Sequence, residues 1–148
     1  MSKRIDSFFN QSERAVKAIY RMLNHSKHNR RILARLYNVH IYKRYGMHIH
    51  PRCEIGENLY LPHPLGIVIG KGAVVKDNVE ILHNVTLGIK DGKFPTIESG
   101  VTLYSGSVVV GDVVVGENAI IAPNSVIINY VEKGAVYTGI PGRKIVSK

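Results

Sequence analysis

The sequence predicts an all-β solenoid preceded by a short α-helical arm, and three observations carry that prediction. From Ile49 to Val131 an aliphatic residue recurs at intervals of six: Ile49, Ile55 and Leu61, then Ile69, Val75, Ile81 and Leu87, then Ile97, Leu103, Val109, Val115, Ile121 and Ile127. Two places before each stands a second apolar or small residue, from Met47 and Cys53 through to Ala119 and Ser125. Residues two apart on a strand point the same way, so each unit offers two inward side chains and a corner. Such a unit cannot bury its apolar side alone and must stack on its neighbours. A period of six excludes an amphipathic helix. It also disfavours an alternating-strand sandwich, whose turns are less evenly spaced. The third observation is the first 46 residues, which lack the hexad and carry a helical pattern instead.

The arm, residues 1–46, reads as two helices. The first is predicted from about Ser12, with Glu13 in its first turn, and Val16, Ile19 and Leu23 form its apolar stripe. The second is predicted from about Lys27 to Arg44, with Ile32, Leu36 and Val39 on one side, and Gly46 marks the exit into the first coil. Eleven Lys/Arg against Asp6 and Glu13 give the arm a charge of 11 − 2 = +9, the whole excess of the chain. Solvated helix faces that cap the solenoid are the plain reading of that charge. The sharper ones are contact with an anionic membrane surface or an acidic glycan. No nucleic-acid motif accompanies the charge, so nucleic acid is not an expected partner.

Residues 47–148 form the solenoid and its tail, with nine charges of each sign. Glycines at Gly56, Gly70, Gly88 and Gly116, one place after a hexad start, suggest corners that need positive φ. Cys53, the single cysteine, occupies an inward position and reads as a small core residue. No apolar run approaches a membrane span and charges interrupt any signal-peptide core, so a cytoplasmic protein is expected, with the basic arm able to meet the inner face of the membrane.

The register breaks twice, and both breaks carry polar residues. Eight residues instead of six separate Leu61 from Ile69, around Pro62-His63-Pro64-Leu65-Gly66. Ten separate Leu87 from Ile97, around Gly88-Ile89-Lys90-Asp91-Gly92-Lys93-Phe94. Loops standing off a rigid scaffold are where function concentrates.

The hexads, the segment Leu61-Pro62-His63-Pro64-Leu65-Gly66 and the closing Tyr137-Thr138-Gly139-Ile140-Pro141-Gly142-Arg143-Lys144 resemble the hexapeptide-repeat acyltransferases over about two thirds of the chain. Within that family the sequence is most similar to serine acetyltransferases and their polysaccharide-modifying relatives. The resemblance implies a left-handed parallel β-helix with three hexads per coil, about four coils in all, assembled as a homotrimer with its sites between subunits. On that count His63 and His83 share one edge, one coil apart, and the second break lies on the next edge round.

The implied chemistry is O-acetyl transfer from acetyl-CoA to a hydroxyl, with no metal required. An alcohol is a weak nucleophile at neutral pH and needs a base, which maps onto His63. The aspartate that orients the base in serine acetyltransferases is His48 here, and the aspartate preceding the base is Pro62. An Arg-His pair that helps hold serine aligns with Lys93 and Phe94, so His83, Asp91, Lys93 and Phe94 are the expected acceptor contacts. Coenzyme A is expected along Gly88, Ser105, Gly106, Ala122 and Pro123, with Arg143 and Lys144 near its 3′-phosphate. Loss of the serine-holding pair, and an aromatic ring in its place, favour a sugar hydroxyl of a surface polysaccharide or its precursor. L-Serine is the alternative acceptor, and a non-catalytic structural solenoid is the remaining reading.

Overall fold

The computed structural model describes residues 2–145. Helices α1 (Ser2–Lys27) and α2 (Arg31–Tyr45) precede the solenoid. The first coil holds β1 (His48–Ile49) and β2 (Glu54–Ile55), and the second holds β3 (Val68–Ile69), β4 (Val74–Val75) and β5 (Glu80–Ile81). The third is β6 (Thr86–Gly88), β7 (Thr96–Ile97) and β8 (Thr102–Leu103), and the fourth β9 (Val108–Val110), β10 (Val114–Val115) and β11 (Ile120–Ile121). Strand β12 (Val126–Ile127) starts a further turn, and an antiparallel hairpin of β13 (Val136–Gly139) and β14 (Gly142–Lys144) follows it.

Strands one coil apart pair in parallel, giving three sheets ordered β1-β3-β6-β9-β12, β2-β4-β7-β10 and β5-β8-β11-β13-β14. The hexad starts meet in register: Ile49 with Ile69, Ile69 with Leu87, Leu87 with Val109, and Val109 with Ile127. This is the left-handed parallel β-helix that the family resemblance implies. Of the thirteen starts only Ile55 is less than fully buried, and each residue two places earlier is buried as well. Cys53 takes its inward place in this core, and burial pushes its thiol up to about 12.

The corners correct one expectation. Gly56, Gly70, Gly88 and Gly116 do not have positive φ; a Cβ at Gly116 would lie 2.6 Å from the Lys133 nitrogen, and one at Gly56 2.2 Å from Asp77 Oδ1. These glycines let neighbouring coils approach closely. Positive φ falls instead three places after the starts, at Asn58, Asn78, Asn84, Asn118 and Asn124, where asparagine tolerates the left-handed region.

The arm differs from expectation at both helices. Ser12 is buried inside α1 rather than at its start, because no glycine or proline interrupts Ser2–Gln11. The break before α2 falls at Asn29, whose φ is 56°, so α2 begins at Arg31. Gly46 ends α2 in the left-handed conformation and donates its N–H to Tyr42 O, as a C-terminal cap does. The helices close the open rim of the first coil, where backbone carbonyls have no preceding coil to pair with. Asn38 Nδ2 donates to Ile49 O at 2.6 Å, and the Tyr20 hydroxyl donates to Gly56 O at 2.6 Å. Ala15, Ile19, Met22 and Ile41 are buried in the same core as the first-coil residues Met47 and Ile49.

Candidate active site

The His63 loop is held rigidly before any ligand is considered. Leu61 and Pro64 are buried, Leu65 N donates to His63 O at 2.8 Å, and Gly66 N donates to Tyr45 O at 3.3 Å. Gly66 has φ 65°, and a Cβ there would lie 2.1 Å from Asn84 Oδ1, so no other residue fits that turn without displacement. The imidazole of His63 is thereby presented at an exposed corner. One coil on, His83 stands beside it, with ring centroids 5.7 Å apart and planes at 73°. The shared edge expected from hexad counting is present.

A cavity of about 460 Å³ opens at these two rings. Its walls are Gln11 from α1, Arg44 and Tyr45 from the last turn of α2, and His63, Pro64, Leu65 and His83. Among the described residues that line it there are two imidazoles and a permanent cation, and no acid. Gln11, Arg44 and Tyr45 belong to no motif, and nothing in the sequence marks them as site residues. Arg44 and Tyr45 arrive here because Gly46 turns the chain directly from α2 into the first coil, and Gln11 comes from α1. The Arg44 guanidinium carbon lies 5.6 Å from the Tyr45 ring centre, which favours its position at the cavity wall. His48 stands outward on β1 and does not line this cavity. His50, at the corner after β1, has its pKa lowered by burial and by the nearby Arg52, Lys71 and His48.

The second break is a β-hairpin. Lys90 and Lys93 exchange backbone hydrogen bonds of 3.1 and 3.0 Å around Asp91 and Gly92, which have φ 53° and 76°. Two positive-φ residues at a two-residue tip match the right-handed twist of the flanking strands, and Asp-Gly is the sequence signal for it. Lys93 is bonded to Asp112, which raises the lysine pKa. Phe94 folds back onto its own solenoid, since Cβ atoms at Gly70 and Gly72 would each lie 2.6 Å from its ring. The ring that was expected to meet a sugar is half-buried there. In a single chain Asp91, Lys93 and Phe94 sit at the corner after β6, away from the edge that bears His63 and His83.

The expected coenzyme positions divide in the same way. Above His63 and His83 on their edge lie Ser105-Gly106 and then Ala122-Pro123, linked by Gly106 N to His83 O and Asn124 N to Ser105 O, both 3.0 Å. The column is straight, so it suits an elongated ligand laid along the solenoid axis. Its Gly106 N–H donates to His83 O, Ala122 N–H donates to Tyr137 O, and Pro123 has no N–H to offer. Gly88, in contrast, lies at the hairpin corner. At the C-terminal end Lys144 is engaged by Glu132, and Arg143 is exposed on β14. Among the described residues no group of three His, Cys, Asp or Glu side chains gathers to hold a metal ion.

Comparison with known proteins agrees with this geometry. Residues 94–129 match the family model described as bacterial transferase hexapeptide (six repeats). The chain is 39% identical over 126 residues to a chloroplastic serine acetyltransferase of Arabidopsis thaliana, covering 82% of this chain and 40% of that protein. It is 38% identical over 104 residues to the serine acetyltransferase of Mycobacterium tuberculosis, covering 68% of this chain and 45% of that one. A solved structure of serine acetyltransferase in complex with coenzyme A from Brucella abortus superposes with a TM-score of 0.84 at 32% identity, over 88% of this chain and 54% of that one. The chain belongs to the hexapeptide-repeat acyltransferases. This member spans less than half the length of these two relatives and about half that of the solved structure.

Proposed function

We propose that the chain is an acetyl-CoA-dependent O-acetyltransferase that acts on L-serine with His63 as general base. The observation that carries the reading is His63 itself, presented with His83 at the mouth of a cavity whose edge continues into a straight column of corners. In the proposed step His63 removes the proton from the acceptor hydroxyl as its oxygen attacks the thioester carbonyl. The carbon–sulfur bond breaks, the proton passes to the departing thiolate, and the products are an acetyl ester and free coenzyme A.

Acceptor choice rests on three points. The relatives are named serine acetyltransferases, and one solved neighbour carries coenzyme A. The preference for a sugar relied on Phe94 as a stacking surface, and that ring packs on Gly70 and Gly72. Lys93, which aligns with the family's serine-holding arginine, is paired with Asp112. Arg44 fills the gap as a counter-charge for the serine carboxylate, from the arm rather than from the hairpin. His83 then supports the acceptor beside the base, while His48, outward on β1, stands outside the cavity. A homotrimer, as the family is built, would bring the hairpin of one subunit alongside the His63 edge of the next.

The test is free-thiol release from acetyl-CoA with L-serine, and in parallel with neutral and acidic sugars. Release with L-serine at a kcat/KM well above that for any sugar is the expected result. Release with sugars alone would return the assignment to polysaccharide modification, and the absence of release with every acceptor would favour a structural solenoid.

A further inference from the structure

The outward face of α2 is built unlike the rest of the surface. Ala34, Ile41 and Tyr45 bury the inner face of this helix. On the opposite side Ile32, Leu36 and Val39, spaced i, i+4 and i+7, form a stripe exposed to 78%, 60% and 42%. The side of the helix that carries Ile32, Leu36 and Val39 is thus the one turned away from the core. Arg35 and Lys43 accompany the stripe, and no Asp or Glu occurs anywhere in Arg31–Tyr45.

We propose that this face of α2 docks on an anionic lipid bilayer, with Ile32, Leu36 and Val39 entering the headgroup boundary and the flanking cations meeting lipid phosphates. An apolar stripe bordered by Lys and Arg is the composition of a helix that lies in the membrane interface. The pairing of the two features selects the partner. Nucleic acid or an acidic glycan would answer the cations and leave three aliphatic side chains in water. A second copy of α2 would cover the stripe while setting like charges against each other, with no acid on the helix to relieve them. Anionic lipid answers both, and each Lys or Arg near such a surface adds to the attraction. Among the described residues no helix is long and apolar enough to cross a membrane, so the contact is peripheral. The inference rests on α2 alone and does not depend on which hydroxyl is acetylated.

The experiment is cosedimentation of the full chain with vesicles of phosphatidylcholine alone and of phosphatidylcholine mixed with phosphatidylglycerol. The protein is expected to sediment with the mixed vesicles, to be released by high salt, and to ignore the neutral ones. The double variant Ile32→Gln/Leu36→Gln and the double variant Arg35→Gln/Lys43→Gln should each weaken binding on the order of tenfold or more. All four side chains are exposed, so circular dichroism should report an unchanged fold. Failure to bind the mixed vesicles, or binding that neither variant weakens, would overturn the proposal. A lower solution mass for Ile32→Gln/Leu36→Gln without lipid would overturn it too, assigning the face to a second copy.

Discussion

At the residue scale the site is a matter of which charges are available. His63 sits on a loop whose backbone is fixed by Gly66 and Pro64, and Arg44 is the cation that shares its cavity. Arg44→Ala should therefore raise the KM for L-serine roughly tenfold and leave kcat within about threefold, because a charge-assisted contact to a bound carboxylate is lost while the base is intact. Steady-state kinetics with L-serine and with serine amide check this, and the amide should be insensitive to the change. His50 makes a prediction of a different kind. Its folded pKa lies below the ordinary value of 6.5, so the unfolded chain binds a proton more readily than the folded one as the pH falls. The stability associated with His50 is complete above pH about 6.5 and is lost as pH falls through the lower folded value. Urea titrations between neutral and mildly acid pH should show that decline, and His50→Gln should flatten it.

At the element scale the hexad was legible and the corners were only partly so. Inward positions could be read because a period of six leaves no other way to bury Ile, Leu and Val together, and Ser107 and Ser125 follow their register into the core although they are polar. Corner conformation depends on what the next coil presents. Gly116 is set by the Lys133 backbone and Gly70 by the Phe94 ring, neither of which is near in sequence. The asparagines at the left-handed positions were visible as a repeated residue and carried a signal that hydrophobic periodicity does not read. The same holds for Asp91-Gly92, whose turn chemistry marks a hairpin. Phe94 closes that hairpin against the solenoid, so Phe94→Ala should lower stability by about 2 kcal/mol, less than for a fully buried phenylalanine. Thermal or urea unfolding measures the loss.

At the scale of the whole molecule, two rigid parts share one core and place function on their edges. The helices were readable as helices, but their roles were not: α1 and α2 satisfy the rim carbonyls through Tyr20 and Asn38, line the His63 cavity through Gln11, Arg44 and Tyr45, and leave an apolar stripe outside. Such roles arise from tertiary placement, which helical periodicity does not encode. The hairpin and the His63 edge point in different directions within one chain, and the homotrimer proposed above is the arrangement that would bring them together. The most direct test is thiol release from acetyl-CoA in the presence of L-serine, measured for the natural chain and for His63→Ala. Removal of the general base is expected to lower kcat by between about 10² and 10⁴-fold, with the fold and oligomeric state unchanged. Equal turnover by both proteins would contradict the account.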